Sequence, residues 1–175
     1  DINRTLTNII DQNVHKPIRE NEMPFIWRML YVWGHESSVV SILVEAADNF
    51  TEHADYFPYY LSLETGAQID KAELLAAFGL SEQDFYDQVY RMIKAYWDDW
   101  DENTKNHYGQ MVEESLSNEN IHAAVPFIHS NGKLSYVATI FVPAGGGIYQ
   151  DIYDFETNEP LGDNEIYNSR NLILF

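Results

Sequence analysis

Cysteine is absent from the 175-residue sequence, which excludes disulfides, thiolate nucleophiles and zinc or iron–sulfur sites built on sulfur. Basic residues are scarce: 10 Lys and Arg stand against 28 Asp and Glu, for a formal net charge of −18. A field of that sign repels phosphate backbones and anionic lipid, so nucleic-acid binding is not expected. It speeds encounters with basic proteins or divalent cations within a screening length of roughly 10 Å, and it also serves solubility alone. No apolar run approaches the roughly 18 residues that cross a bilayer, so no direct membrane insertion is expected within this chain. Local catalytic signatures are missing as well. There is no Gly-x-Ser-x-Gly elbow, the six histidines show no helical pairing with a glutamate, and no Lys-Ser/Thr follows the glycine run 145–147. No cofactor and no metal ion are expected on these grounds.

What is present supports one core. The chain is 45% hydrophobic and 14% aromatic, at a length typical of a single domain, and it reads as one domain of a larger protein. Ile2, Leu6, Ile9 and Ile10 fit one face of a short helix within residues 1–22. Phe25 to Trp33 reads as a buried strand that turns at Gly34, and residues 38 to 46 alternate as its hairpin partner. A polar loop then leads to a third strand at Tyr59 to Glu64.

Two helix starts follow. Asp70 with Glu73, and Ser81 with Asp84, have capping-box spacing, and each is flanked by a hydrophobic staple: Ile69 with Leu74, Leu80 with Phe85. Gly79 is placed to end the first helix, while Phe85, Val89, Met92, Ile93, Tyr96 and Trp100 form the apolar stripe of the second. A third helix is expected to turn Tyr108, Met111, Val112 and Leu116 inward. In the last third, Val125 to His129 and Leu134 to Val142 flank Asn131-Gly132, the signal of a type I′ hairpin, and Pro126 argues that the first of these strands lies at an edge or begins irregularly. Strands at Ile148 to Phe155 and Asn171 to Phe175 complete the order. The expected class is α+β: an antiparallel sheet of three strands, three helices, then three or four strands, with the helices packed on one face.

Candidate ligand-binding residues gather where carboxylates, an imidazole and tyrosines crowd together. Glu52, His53 and Asp55 share one loop, where two carboxylates beside an imidazole suit a metal or proton transfer, or simple solvation. Tyr56 and Tyr59 continue that loop, and Tyr149 sits in a second acidic-aromatic stretch. Rigid aromatic faces with a polar tip suit protein or carbohydrate contacts, and they equally suit the edge of a core. Asp98, Asp99, Asp101 and Glu102 lack the spacing and central glycine of a calcium loop. His35-Glu36 falls at the expected hairpin tip and reads as a solvated turn. Carboxylate pairs for glycoside hydrolysis leave no spacing in a sequence, so a hydrolase of wall glycans or peptides, carboxylate-based or metal-assisted through His53, stands as the alternative to a binding module.

Two segments carry a resemblance. SVVSILVEAADNFTEHADYFPYYLSLETGAQIDKAELL resembles the strand–loop–strand–Leu-x-Thr-Gly–helix segment of extracytoplasmic domains in Gram-positive bacteria, among them the lysozyme-sensing anti-sigma factors and the accessory domain of peptidoglycan deacetylases. ENIHAAVPFIHSNGKLSYVATIFVPAGGGIYQDIYDF is similar to the closing strands of surface proteins and lipoproteins of that kind. The resemblance implies a non-catalytic binding or sensing module, secreted or anchored at the cell surface, in which Leu63, Thr65 and Gly66 are structural. A basic protein or a cell-wall glycan is the partner it points to.

Overall fold

The computed structural model describes residues 28–47, 54–143, 147–161 and 170–174. The helix expected within residues 1–22, the candidates Glu52 and His53, and Gly145 and Gly146 of the glycine run lie outside them. The α+β class holds. Strands β1 (Arg28–Glu36), β2 (Val39–Ala47), β3 (Ala54–Ser62) and the short β4 (Gln68–Ile69) come first. Helices α1 (Lys71–Ala76), α2 (Glu82–Asp98), α3 (Glu102–His107), α4 (Gly109–Ser115) and α5 (Asn118–His122) follow, and then β5 (Val125–Ile128), β6 (Leu134–Phe141), β7 (Ile148–Asp154) and β8 (Arg170–Leu174).

The strands divide between two antiparallel sheets: a first of order β4-β3-β2-β1-β8 and a second of order β5-β6-β7. The second sheet is the middle layer. Leu134, Tyr136, Ala138 and Ile140 on one face of β6 meet Phe85, Val89, Met92, Ile93 and Trp97 of α2. On the opposite face Val137, with Phe127 and Ile152, meets Val32 and Leu43 of the first sheet. A strand covered on both sides has no polar face to show, and β6 accordingly reads LSYVATIF.

Local signals set the helix starts. Both capping boxes form: Asp70 accepts the Glu73 amide at 2.9 Å, and Ser81 accepts the Asp84 amide at 3.1 Å. Gly79 takes φ +71, the left-handed turn that ends the first helical segment. The single third helix is instead three short ones. Asp101 accepts the amides of Asn103 and Thr104 to start α3, and Ser117 accepts that of Asn120 to start α5. Each is a cap that opens a new helix within a few residues of the last. On α2 the fully buried indole is Trp97, while Tyr96 and Trp100 pack at the margin.

Two turns differ from expectation. Strand β1 does not end at Gly34 but runs on to Glu36, and Ser37-Ser38 make the reversal. Gly34 serves another need: a Cβ there would stand 2.2 Å from the His129 carbonyl oxygen and 2.4 Å from that of Ile128. Only a hydrogen fits where β5 crosses β1. At the β5–β6 hairpin the His129 oxygen accepts the Gly132 amide at 2.9 Å, and the Lys133 oxygen accepts the His129 amide at 2.8 Å. With Gly132 at φ +84, this is a three-residue turn closed by a glycine bulge, not the two-residue type I′ form.

Pro126 does mark an edge, and that edge is sealed from the first sheet. Proline offers no N–H, and its carbonyl accepts the Tyr60 hydroxyl at 2.7 Å. Two residues on, the Ser41 hydroxyl accepts the Ile128 amide at 2.6 Å and donates to the Ile128 oxygen at 3.3 Å. Two side chains of the first sheet thus satisfy what a neighbouring strand would.

Candidate functional site

Side-chain alternation along the first sheet turns Val32, Leu43 and Tyr60 toward the interior and the intervening residues the other way. On that outer face the register aligns Trp33 with Ile42, and Ile42 with Tyr59, in one row across three strands. Val44, opposite Phe57, packs with Ile42 and Tyr59 in a small apolar cluster. Trp33 is 51% exposed although it lies within a regular strand, opposite Ile42 of β2 and one residue beyond the end of the pairing with β8. Of the run that reads as a buried strand, Val32 is buried as expected, whereas Trp33 belongs to the outward face.

Asp55 and Tyr56 open β3 beside a hollow of about 160 Å³, which also takes in Asn120, Ala123 and Ala124 after α5, Thr139 of β6 and Gln150 of β7. Asp55 is exposed and Tyr56 half-buried. Asn120 holds the wall in place by donating from Nδ2 to the Ser115 oxygen at 2.8 Å and the Thr139 oxygen at 2.9 Å. Gln150 leans its Nε2 toward the Thr139 hydroxyl at 3.5 Å. Neither Asn120 nor Gln150 carries a sequence signature of a site, because their placement depends on three elements converging.

The tyrosines singled out in the sequence separate. Tyr59 is half-buried on the outer face of the first sheet, and Tyr149 lies across the molecule on β7. There the Tyr149 hydroxyl donates to Asp151 at 2.7 Å. That hydrogen bond, helped by partial burial, pushes the phenol up to about 12. Tyr149 is thereby a neutral donor engaged within its own strand.

Several of the remaining polar groups are engaged locally. Lys94 pairs with Asp98, Lys105 with Glu102, and Asp101 caps α3. The Thr104 hydroxyl holds the Asp101 carboxyl below its ordinary range, and Lys94 does the same for Asp98. Among the described residues no group of three or more His, Asp or Glu side chains is arranged to hold a metal ion. His122 stacks on Tyr86 at 4.2 Å, His107 meets Tyr108 edge-on, and His129 is buried beside the seam between the sheets. A shallow groove of about 550 Å³ runs between the start of α2 and the turn after β7. Its charges are committed locally: Asp84 to Ser81, Arg91 to Gln88, Glu156 to Lys133. No helix among the described residues is long and apolar enough to cross a membrane. No protein-family model, curated protein or solved structure matches the chain.

Proposed function

We propose that this chain is a non-catalytic, extracytoplasmic binding or sensing module that contacts a basic protein or a cell-wall ligand through the outer face of its first sheet. One observation carries the reading: Trp33, half exposed in mid-strand, at the end of a row formed with Ile42 and Tyr59. An indole left in water on a rigid sheet forfeits the burial that the same side chain would gain in a core, and a partner recovers it. Tryptophan and tyrosine dominate binding hot spots because they supply large area at little entropic cost. The net charge of −18 steers cationic partners toward the domain. The two segments that resemble Gram-positive surface domains support the location outside the membrane.

Titration calorimetry of the purified chain tests this, against a set of cationic proteins that includes lysozyme and against soluble wall fragments. A saturable complex is expected, weakened about 30-fold or more by Trp33→Ala, the loss of one hot spot, with the far-UV spectrum unchanged. For a protein partner the association rate falls with added salt. No complex with any of these ligands, or one indifferent to Trp33→Ala, breaks the reading.

A further inference from the structure

We propose that the partner is a basic protein and that it lays an arginine side chain along β3, its stem against Phe57 and its guanidinium at Asp55, an inference that rests on the binding reading above. Register comes first. Asp55, Phe57 and Tyr59 are paired with Ala46, Val44 and Ile42 and alternate with the inward Tyr60, so all three stand on the outer face. Asp55 thus turns away from the hollow beside Asn120. It lies about 7 Å along the strand from Phe57, two rows beyond the one that holds Trp33. Asp55 is exposed, whereas Phe57 and Tyr59 are half-buried.

The chemistry of this face selects the occupant. From Ile42 to Val44 on β2 and from Asp55 to Tyr59 on β3, the outward side chains are aliphatic or aromatic, with one carboxylate at the end of the strip. A glycan carries hydroxyls around each ring and asks for several neutral hydrogen-bonding groups, and among these five residues only the Tyr59 hydroxyl is one. A basic side chain asks for less: an apolar strip for its methylene stem and one anion for its head. Arginine fits better than lysine. Its planar guanidinium meets a carboxylate through two parallel bonds and stacks on an aromatic ring, while a compact, strongly hydrated ammonium acts as a point charge. Side chains on a strand stand roughly perpendicular to the sheet, so Phe57 and Tyr59 rise beside a stem laid along β3. The net charge of −18 draws the same partner in before contact.

The test is an NMR titration of the full ¹⁵N-labelled chain with acetylated hexa-arginine amide, alongside its hexalysine and uncharged hexacitrulline counterparts. Saturable shifts are expected at Val44, Asp55, Phe57 and Tyr59. Hexalysine binds about threefold more weakly, and hexacitrulline on the order of tenfold more weakly. An exposed ion pair and an exposed ring contact are each modest, so Asp55→Asn and Phe57→Leu each weaken hexa-arginine about threefold in a folded chain. Asp99→Asn removes the same charge at the end of α2 and controls for the overall field; it leaves the affinity nearly unchanged. Shifts centred elsewhere, hexalysine bound as tightly as hexa-arginine, or a loss in Asp55→Asn no larger than in Asp99→Asn overturns the proposal. Failure here is separable from failure of the binding reading. A cationic protein bound through Trp33 alike by wild type, Asp55→Asn and Phe57→Leu defeats the arginine track and leaves the reading standing. Hexa-arginine seated along β3 in a chain that binds no protein or wall fragment supports the track and defeats the reading.

Discussion

The second sheet is gripped on its two faces by different means. Toward the helices it presents rings and branched chains: Tyr136 meets Phe85 edge-on at 5.8 Å and stacks on Tyr153 at 5.5 Å, within the largest apolar cluster. Toward the first sheet the apolar cluster is smaller, and beside it runs a seam of backbone-level contacts at Gly34, Ser41 and Tyr60. The first contact is a matter of volume, which other side chains of similar size can supply. The second depends on particular atoms at particular places, and no side chain of similar bulk replaces them.

Mutation separates the two. Phe85→Ala should cost about 3–5 kcal/mol, because Phe85 is fully buried and its ring leaves a cavity. Phe85→Leu, which keeps most of the volume, should cost less than about half of that in the same denaturant titration. Gly34→Ala should cost about 3 kcal/mol, since the added methyl meets two backbone carbonyls that cannot turn aside. Its distinguishing mark is that no residue at position 34 other than glycine restores stability. A Gly34→Ala chain within about 0.5 kcal/mol of wild type would show that the sheets slide freely and that the contrast is unfounded.

Smaller losses probe the sealed edge. Ser41→Ala leaves the buried Ile128 amide without its 2.6 Å partner and should cost about 1–3 kcal/mol. Tyr60→Phe removes one bond, to the Pro126 oxygen, and should cost about 1 kcal/mol. Because both side chains serve the same free edge of β5, the double variant should depart from the sum of the singles. Strict additivity in a double-mutant cycle would mean that the two bonds are independent and the seam is no unit.

The difference between the regions also explains what the sequence discloses. Asp70, Ser81 and the residues three beyond them state two helix starts outright, because a capping box is closed within four residues. Pro126 likewise announces an edge, since the missing N–H is a property of the residue. The partner of that edge is not announced: Ser41 lies 87 residues from Ile128 and Tyr60 lies 66 from Pro126. So the division into two sheets is invisible to pattern, and Gly34 reads as a turn when its task is close approach. The helices after α2 were open to inspection at Asp101 and Ser117, cap residues that an apolar periodicity through Tyr108 and Leu116 overrides. The candidate site follows the same rule. Asp55 and Tyr56 stand out by type, whereas Asn120, Thr139 and Gln150 join them only through tertiary convergence, and Trp33 becomes distinctive only once the face it occupies is known.

Acid should act on the capping box of α2 and spare the two hydroxyl bonds of the seam, and this is the smallest of the expected effects. On the helical side the Ser81 hydroxyl donates to Asp84 at 2.6 Å and holds its carboxyl below the ordinary value of 3.8. Folding therefore favours the ionised form. The stabilisation is fully present above that ordinary value and is lost as pH falls through the lower folded one. Asp84→Asn should lower Tm near neutrality and flatten its decline down to about pH 2, because the variant has no such carboxylate to protonate. The seam has the opposite polarity: burial raises the Tyr60 phenol above its ordinary 10.0, so its contribution is whole below that value and fades only as alkali approaches the raised one. Ser41→Ala and Tyr60→Phe should consequently shift the acid limb of the Tm curve downward in parallel, without changing its slope. An acid limb whose slope responds to the seam variants and not to Asp84→Asn would place the acid-labile contact between the sheets, where Glu45 and His129 are buried beside the hydroxyls and carbonyls.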